Sequence, residues 1–286
     1  CDPFPELQQI TMLRQLSPIS AAVRGQFVQR PVSRRSSSGS LGLGLGLGLG
    51  FVGSRGIVSR NLSSMANELP HQDRLKSVLD FWYYFTPELK EKGFTEETAK
   101  QLPGRWYGVG LKTPEDKSAF DDLVREQFEG DIERFAAGTY DSWAATPDGV
   151  SAICVLGDQL TRNAYRGQGK AFSLDAKVLD VVLPALEHGL DKDLHYVQRF
   201  GWYLPLMHSE DIAVHDKLKG LLEEQQEIQT EPWVKAMVAN AIEFADKHRT
   251  MIEQFGRYPY RNKAIGRDST PEEEAFLAGD VDTFGQ

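Results

Sequence analysis

Apolar side chains recur every three or four positions along the chain from Asp73 onward, and no extended stretch alternates apolar and polar residues. A spacing of three and four places the apolar side chains on one face of a helix, whereas strict alternation is typical of a strand. The pattern therefore predicts an all-α fold. The predicted helices lie at about 73–85, 115–137, 148–165, 170–188, 193–207, 209–229, 232–255 and 270–279.

Four Thr-Pro pairs mark the beginnings of helices. A Thr side chain at an N-cap accepts a hydrogen bond from the first turn, and a Pro in that turn is tolerated because its missing N–H would have no partner there. Acidic residues follow each pair, where they suit the positive end of the helix dipole. The predicted capping residues are Thr86, Thr113, Thr146 and Thr270.

Short turns containing Gly or Pro join the predicted helices, so neighbouring helices are expected to pack as antiparallel hairpins in a single all-helical domain, residues 66–286. The sequence contains no internal repeat of fixed period. Segment 101–112 is aromatic and lacks helical periodicity. It is predicted to be irregular, and to act as an anchoring loop or as a surface lid.

Residues 1–64 differ in composition from the rest of the chain. They contain seven Arg, no Lys and two acidic residues, whereas the whole chain has a net charge of −9. An Arg-rich, Ser-rich and acid-poor leader is typical of organellar transit peptides. The Leu-Gly repeat at 41–50 disfavours a stable helix. We therefore expect residues 1–64 to be a disordered basic transit peptide that directs the protein to the mitochondrial matrix.

Two alternatives for this leader are open. Residues 1–64 are upstream translated sequence if translation starts at Met65, and the product is then cytoplasmic. A basic arm for nucleic acid is the other alternative, but such arms usually also use Lys, and the rest of the chain is acidic. We expect no nucleic acid as a partner and no membrane span.

The chain has two cysteines, Cys1 and Cys154, which is too few for a disulfide framework. Cys154 lies in the apolar run 150–156. Reactive thiols need an electropositive and partly exposed setting. We therefore expect Cys154 to be buried and inert.

Three polar blocks interrupt the helical sequence in the C-terminal half, at 158–167, 204–211 and 255–262. Burying a charged side chain without a partner costs several kcal/mol, so such residues must be paired or used. The blocks therefore predict a site.

Asp158, Arg162 and Arg166 follow one another at intervals of four, so they share one face of a regular helix, with Asn163 beside them. One interpretation is an intrahelical salt bridge worth a few tenths of a kcal/mol, about 0.2–0.5. The other is a pair of arginines, held by Asp158, that bind a carboxylate or a phosphate.

His208 is the candidate general acid and base, because a His flanked by carboxylates is a common means of proton transfer near neutral pH. Asp158 and Glu210 are expected to orient it. His208, Asp211 and His215 also have a spacing that suits a metal, but the His-Glu-x-x-His spacing is absent. We predict no metal, and the sequence identifies no cofactor.

A loop rich in Gly, Pro and Tyr follows the last long helix and carries several arginines. Loops of this composition often carry function. His248, two turns before the loop, either reaches the same site or fills the core. The predicted ligand-binding residues are Arg162, Asn163, Arg166, His248, Arg257, Arg261, Asn262 and Arg267.

These blocks, in this order, resemble the family called domain of unknown function 924. The resemblance also includes Val78-Leu79-Asp80-Phe81-Trp82, His248-Arg249 and the segment 266–273, and it covers about residues 73–284. It implies an all-helical, tetratricopeptide-like array. It implies no activity.

Our leading hypothesis is a soluble helical protein whose pocket, lined by Arg, His and carboxylates, binds a small anionic molecule. A hydrolase or a group-transfer enzyme fits such a pocket, although the sequence leaves open whether the protein is an enzyme. The alternative is a tetratricopeptide-like interaction scaffold for an acidic peptide, with the polar blocks as a structural ion-pair network. A buried network without any ligand is a third interpretation.

Overall fold

The computed structural model describes residues 70–107 and 113–279, and the leader 1–64 lies outside them. Within these ranges the secondary structure is helical, and no strand is present. The all-α prediction is therefore confirmed. The α-helices are α1 (Gln72–Trp82), α2 (Pro87–Lys92), α3 (Glu96–Ala99), α4 (Leu102–Tyr107), α5 (Pro114–Ala136), α6 (Pro147–Cys154), α7 (Thr161–Ala164), α8 (Asp175–Glu187), α9 (Tyr196–Met207), α10 (Ile212–Ile228), α11 (Pro232–Phe255), α12 (Asn262–Ile265) and α13 (Pro271–Leu277).

Short 3₁₀ and π segments join some of these helices. The 3₁₀ segments are Asp141–Ala145, Gly169–Phe172 and Pro259–Arg261, and a π-helical segment, Val155–Leu160, connects α6 to α7. The predicted helix 170–188 is therefore a 3₁₀ turn followed by α8. The predicted helix 148–165 is α6, the π segment and α7 in succession.

The four predicted N-caps are confirmed. Each Thr side chain accepts a hydrogen bond from the backbone N–H three residues later, at the starts of α2, α5, α6 and α13. Thr113 and Thr270 also form capping boxes, in which the side chains of Asp116 and Glu273 accept from the N-cap N–H. These local interactions fix where the helices begin.

The prediction of an irregular segment at 101–112 is wrong for Leu102–Tyr107, which forms α4. Packing explains the difference. The Arg105 guanidinium lies 4.5 Å from the ring centroids of both Phe81 and Phe85, and Trp106 donates its indole N–H to the Trp82 carbonyl at 3.2 Å. Because α4 has only six residues, its periodicity is too short to be recognised.

The core lies around α6 and α9. Every residue of α9 is buried except Gln198, and Trp82, Trp143 and Trp202 are among the largest side chains that are fully enclosed. Cys154 is completely buried, and burial raises the pKa of its thiol well above the usual value. The prediction that Cys154 is buried is confirmed, and its inertness stays a prediction.

A three-residue turn joins α10 to α11, and these two helices pack against each other. A connection this short forces the chain to reverse, as in a helical hairpin. The tetratricopeptide-like array beyond this pair stays a prediction. In the part of the chain that the structure describes, we find no helix with the length and apolarity needed to cross a bilayer.

Two glycines meet different surroundings. At Gly149, in the first turn of α6, a Cβ atom would lie 1.9 Å from the carbonyl oxygen of Trp143. At Gly220, in the middle of α10, a Cβ would meet nothing within 4 Å. Only the first position requires a glycine for packing.

Candidate functional site

The site begins at the π segment between α6 and α7. Within it the carbonyl of Leu156 accepts a hydrogen bond from the Thr161 hydroxyl at 2.8 Å. Such segments are frequent at functional sites because they change the direction of the side chains they carry. Asp158 lies in this segment and is completely buried.

Asp158 is surrounded by donors. Its Oδ1 lies 2.8 Å from Nη1 of Arg162 and 2.8 Å from Nδ1 of His208, and Gln159 donates to its Oδ2. Burial by itself raises the pKa of Asp158, but Arg162 and His208 outweigh burial and lower it to about 2. Asp158 is therefore ionised at neutral pH and can hold one tautomer of His208.

His208 follows the last residue of α9, so the end of that helix carries the imidazole to Asp158. An ionised carboxylate only accepts, which places the ring proton on Nδ1. Burial and the charge of Arg162 lower the pKa of His208, so the ring is neutral near pH 7. In the described part of the chain Nε2 has no hydrogen-bond partner, yet it is not enclosed, so it is open to a ligand.

Asp175 joins two arginines from different parts of the chain. Arg162 donates to both of its oxygens, at 3.0 and 2.9 Å, and Arg261 donates to Oδ2 at 3.2 Å. Arg261 also donates to the His208 carbonyl at 3.0 Å, and the Phe172 ring lies 4.7 Å from its guanidinium. This bridge fixes the 255–262 loop against α8 and the end of α9.

A pocket of about 350 Å³ opens beside this bridge. It is lined by two predicted catalytic residues and one predicted ligand-binding residue, and its other walls come from the start of α8, the 3₁₀ turn before it and α12. The lining residues are Gly169, Phe172, Ser173, Asp175, Ala176, Leu179, His208, Ser209, Glu210, Arg261 and Ile265.

Asp175 and Phe172 were missed by the sequence analysis. An acidic residue in the first turn of a helix is ordinarily explained by the helix dipole, and this is where Asp175 lies. Phe172 is apolar, so the sequence does not distinguish it from a core residue. Neither residue carries a local signal of its contact with Arg261.

Arg166 and Asn163 lie away from the pocket, and the prediction that Arg166 shares a helix face with Asp158 is wrong. Helix α7 ends at Ala164, so Arg166 is in the following turn. Both side chains bind Asp121 of α5, Arg166 through Nε at 2.7 Å and Asn163 through its amide at 2.9 Å. These contacts attach α7 to α5.

Three more predicted ligand-binding residues also bind carboxylates of the protein. Arg257 donates to both oxygens of Glu273 at 2.6 and 2.7 Å, and Asn262 donates to the same group at 3.1 Å. Arg267 binds Glu210 through two bonds of 2.6 and 2.9 Å. These pairs hold the C-terminal segment in place, and of their members only Glu210 lines the pocket.

His248 faces His208 from α11, with the ring centroids 5.9 Å apart. Its Nδ1 lies 2.7 Å from the Phe244 carbonyl, and the Tyr258 ring packs against its edge. Nearby, His215 lies 2.8 Å from the Ser209 carbonyl through Nε2. Burial is the main cause that lowers the pKa of His248, to about 3, and of His215.

Buried neutral histidines make stability depend on pH. Below pH 6.5 His248 binds a proton in the unfolded chain but stays neutral in the folded chain. The free energy of unfolding therefore decreases as pH falls from 6.5 toward 3. From this residue alone we expect the free energy of unfolding to fall by about 2 kcal/mol between pH 7 and pH 5. Urea denaturation at the two pH values measures the loss. If His248→Leu leaves the pH dependence unchanged, the assignment is wrong.

Within residues 70–107 and 113–279, no three His, Cys, Asp or Glu side chains are arranged to hold a metal ion. His208 and His215 do not share a helix, because α9 ends before His208 and α10 begins at Ile212. Asp211 caps α10 by accepting from the Ala213 N–H at 2.9 Å. The spacing that suggested a metal therefore brings no ligand set together.

Comparisons with known proteins extend these findings. Residues 78–280 match the family model described as bacterial protein of unknown function, DUF924. A structure of a protein of unknown function from Agrobacterium tumefaciens is similar, with a TM-score of 0.54 and 24% sequence identity over 73% of this chain and 98% of that one. This likeness is one of fold. No curated protein matches the chain. The family match covers most of the chain, which therefore belongs to the DUF924 family.

Proposed function

We propose that this protein is an enzyme in which His208 transfers a proton in a hydrolytic or group-transfer reaction on a small molecule bound in the pocket. One observation carries the proposal. The imidazole is held through Nδ1 by the buried carboxylate of Asp158, at 2.8 Å, while Nε2 has no partner in the described residues and His208 lines a pocket of about 350 Å³. A neutral imidazole oriented in this way is a competent general base near pH 7.

The other residues support this group. Asp158 is a positioning residue, because it contacts His208 and not the pocket. Arg162 keeps Asp158 ionised and also binds Asp175. Glu210 accepts from the Tyr258 backbone N–H at 2.9 Å and from Arg267, so it orders the loop that carries Arg261. Arg261 is the one predicted ligand-binding arginine among the pocket-lining residues.

Model substrates test the proposal. Chromogenic carboxylic esters, phosphate esters, sulfate esters and glycosides are offered to the full chain, to His208→Gln and to His188→Gln. His188 is exposed on the surface and is the matched control. We expect turnover of one class, a loss of at least about 100-fold in His208→Gln, and no loss in the control. Equal turnover by His208→Gln, or turnover of no class, overturns the proposal.

A second function has an observation in its favour. Every predicted arginine has a carboxylate of the protein as partner, as expected if the blocks are an ion-pair network within an interaction scaffold. The scaffold does not require an open Nε2 on His208, which is why we prefer the enzyme. Binding of acidic peptides without turnover, unaffected by His208→Gln, favours the scaffold.

A further inference from the structure

The charges around the pocket balance one another. Three ion pairs surround it, namely Asp158 with Arg162, Asp175 with Arg261, and Glu210 with Arg267. Each carboxylate lies within 3.2 Å of its arginine. A phosphate or another polyanion gains strongly from a site with surplus positive charge, and this site has none to offer.

Most polar atoms of the lining are also engaged. The Ser209 hydroxyl accepts from the Asp211 N–H at 3.1 Å, and the Ser173 hydroxyl lies 2.8 Å from the Lys170 carbonyl. One accessible side-chain nitrogen of the lining lacks a hydrogen-bond partner within the described part of the chain, namely Nε2 of His208; Nε of Arg261 also lacks a partner but is enclosed. Nε2 of the neutral imidazole can accept a proton.

The rest of the lining is apolar. Phe172, Ala176, Leu179 and Ile265 contribute apolar side chains to it. A volume of about 350 Å³ is at the small end of the range for ligand pockets, about 300–1,000 Å³. The pocket thus fits a short, uncharged molecule with an apolar body.

We propose that the substrate is an uncharged carboxylic ester with a short apolar chain, and this inference rests on the proposed function. Nε2 of His208 takes a proton from water as the water oxygen bonds to the acyl carbon. The imidazolium then returns that proton to the alcohol oxygen as the acyl C–O bond breaks. The products are a carboxylic acid and an alcohol, and His208 is again neutral.

Hydrolysis of p-nitrophenyl butyrate and of p-nitrophenyl phosphate by the full chain tests the inference. Ala176→Trp fills the pocket from an exposed position of α8, and Ala239→Trp on the exposed face of α11 is the matched control. We expect cleavage of the butyrate ester and not of the phosphate. We also expect kcat/KM for the ester to fall at least about tenfold in Ala176→Trp and to be unchanged in the control.

The outcomes separate the two proposals. Cleavage of the phosphate but not of the ester, lost in His208→Gln, overturns the substrate class and leaves the proposed function standing. Cleavage of neither compound overturns the inference, and the proposed function then depends on turnover of the sulfate esters or glycosides. If Ala176→Trp does not slow ester cleavage, the reaction does not take place in this pocket, and the inference is also overturned.

Discussion

Replacing Arg162 with Met is expected to lower the free energy of unfolding by about 3–5 kcal/mol. The Arg162 side chain is 6% exposed, and it binds the completely buried Asp158 as well as Asp175. The variant leaves the Asp158 carboxylate buried with only His208 and Gln159 near it in the described structure. A buried charge that loses its ion-pair partner is costly because the interior replaces little of its lost hydration. Urea denaturation at pH 7 measures the change.

The matched control is Arg134→Gln. The Arg134 side chain is 56% exposed and binds Asp131, which Arg74 also binds. Because the Arg134 guanidinium is exposed to solvent and the buried Asp131 keeps Arg74 and Tyr140 as partners, the control should lose no more than about 1 kcal/mol. A loss in Arg162→Met as small as in Arg134→Gln contradicts the view that Asp158 depends on Arg162.

Replacing Gly149 with Ala is expected to destabilise the protein by about 3 kcal/mol or more. The added methyl would lie 1.9 Å from the Trp143 carbonyl oxygen, so the backbone of one segment must move. The start of α6 is surrounded by core, with Trp143 and Val150 completely buried. The midpoint of thermal unfolding, followed by circular dichroism, measures the effect.

Gly220→Ala provides the opposite result at a helical position with free space. A Cβ there meets nothing within 4 Å, and Ala is the better helix former by about 0.8–1 kcal/mol. We expect this variant to be stabilised by about that amount. A similar change of stability in both glycine variants would show that the contact with Trp143 relaxes at little cost.

The helices could be predicted from the sequence because their causes are local. The period of apolar residues in α5, α9 and α11, and Thr residues such as Thr113 beside a Pro, depend on neighbours within a few positions. The short helices α3 and α12 escaped prediction because four residues do not complete two turns, and of α2 only the start at Thr86 was predicted.

The site could be predicted in part. Its location at the polar blocks, and His208 with Asp158 as members, followed from charges in apolar sequence. The bond between these two residues spans 50 positions, and no local pattern reports it. Asp175 depends in the same way on Arg261, 86 positions later. The sequence also assigned ligands to Arg257 and Arg267, whereas carboxylates of the chain itself bind these side chains.

The π segment at Val155–Leu160 interrupts the regular rotation of side-chain directions between α6 and α7. Each residue of an α-helix advances the side-chain direction by about 100°. Removing one residue from the segment would restore a regular α-helix. Every side chain beyond it, including that of Arg162, would then rotate by about that angle around the helix axis. The buried ion pair between Asp158 and Arg162 therefore depends on the number of residues in this segment. Loops elsewhere on the surface can change in length more freely.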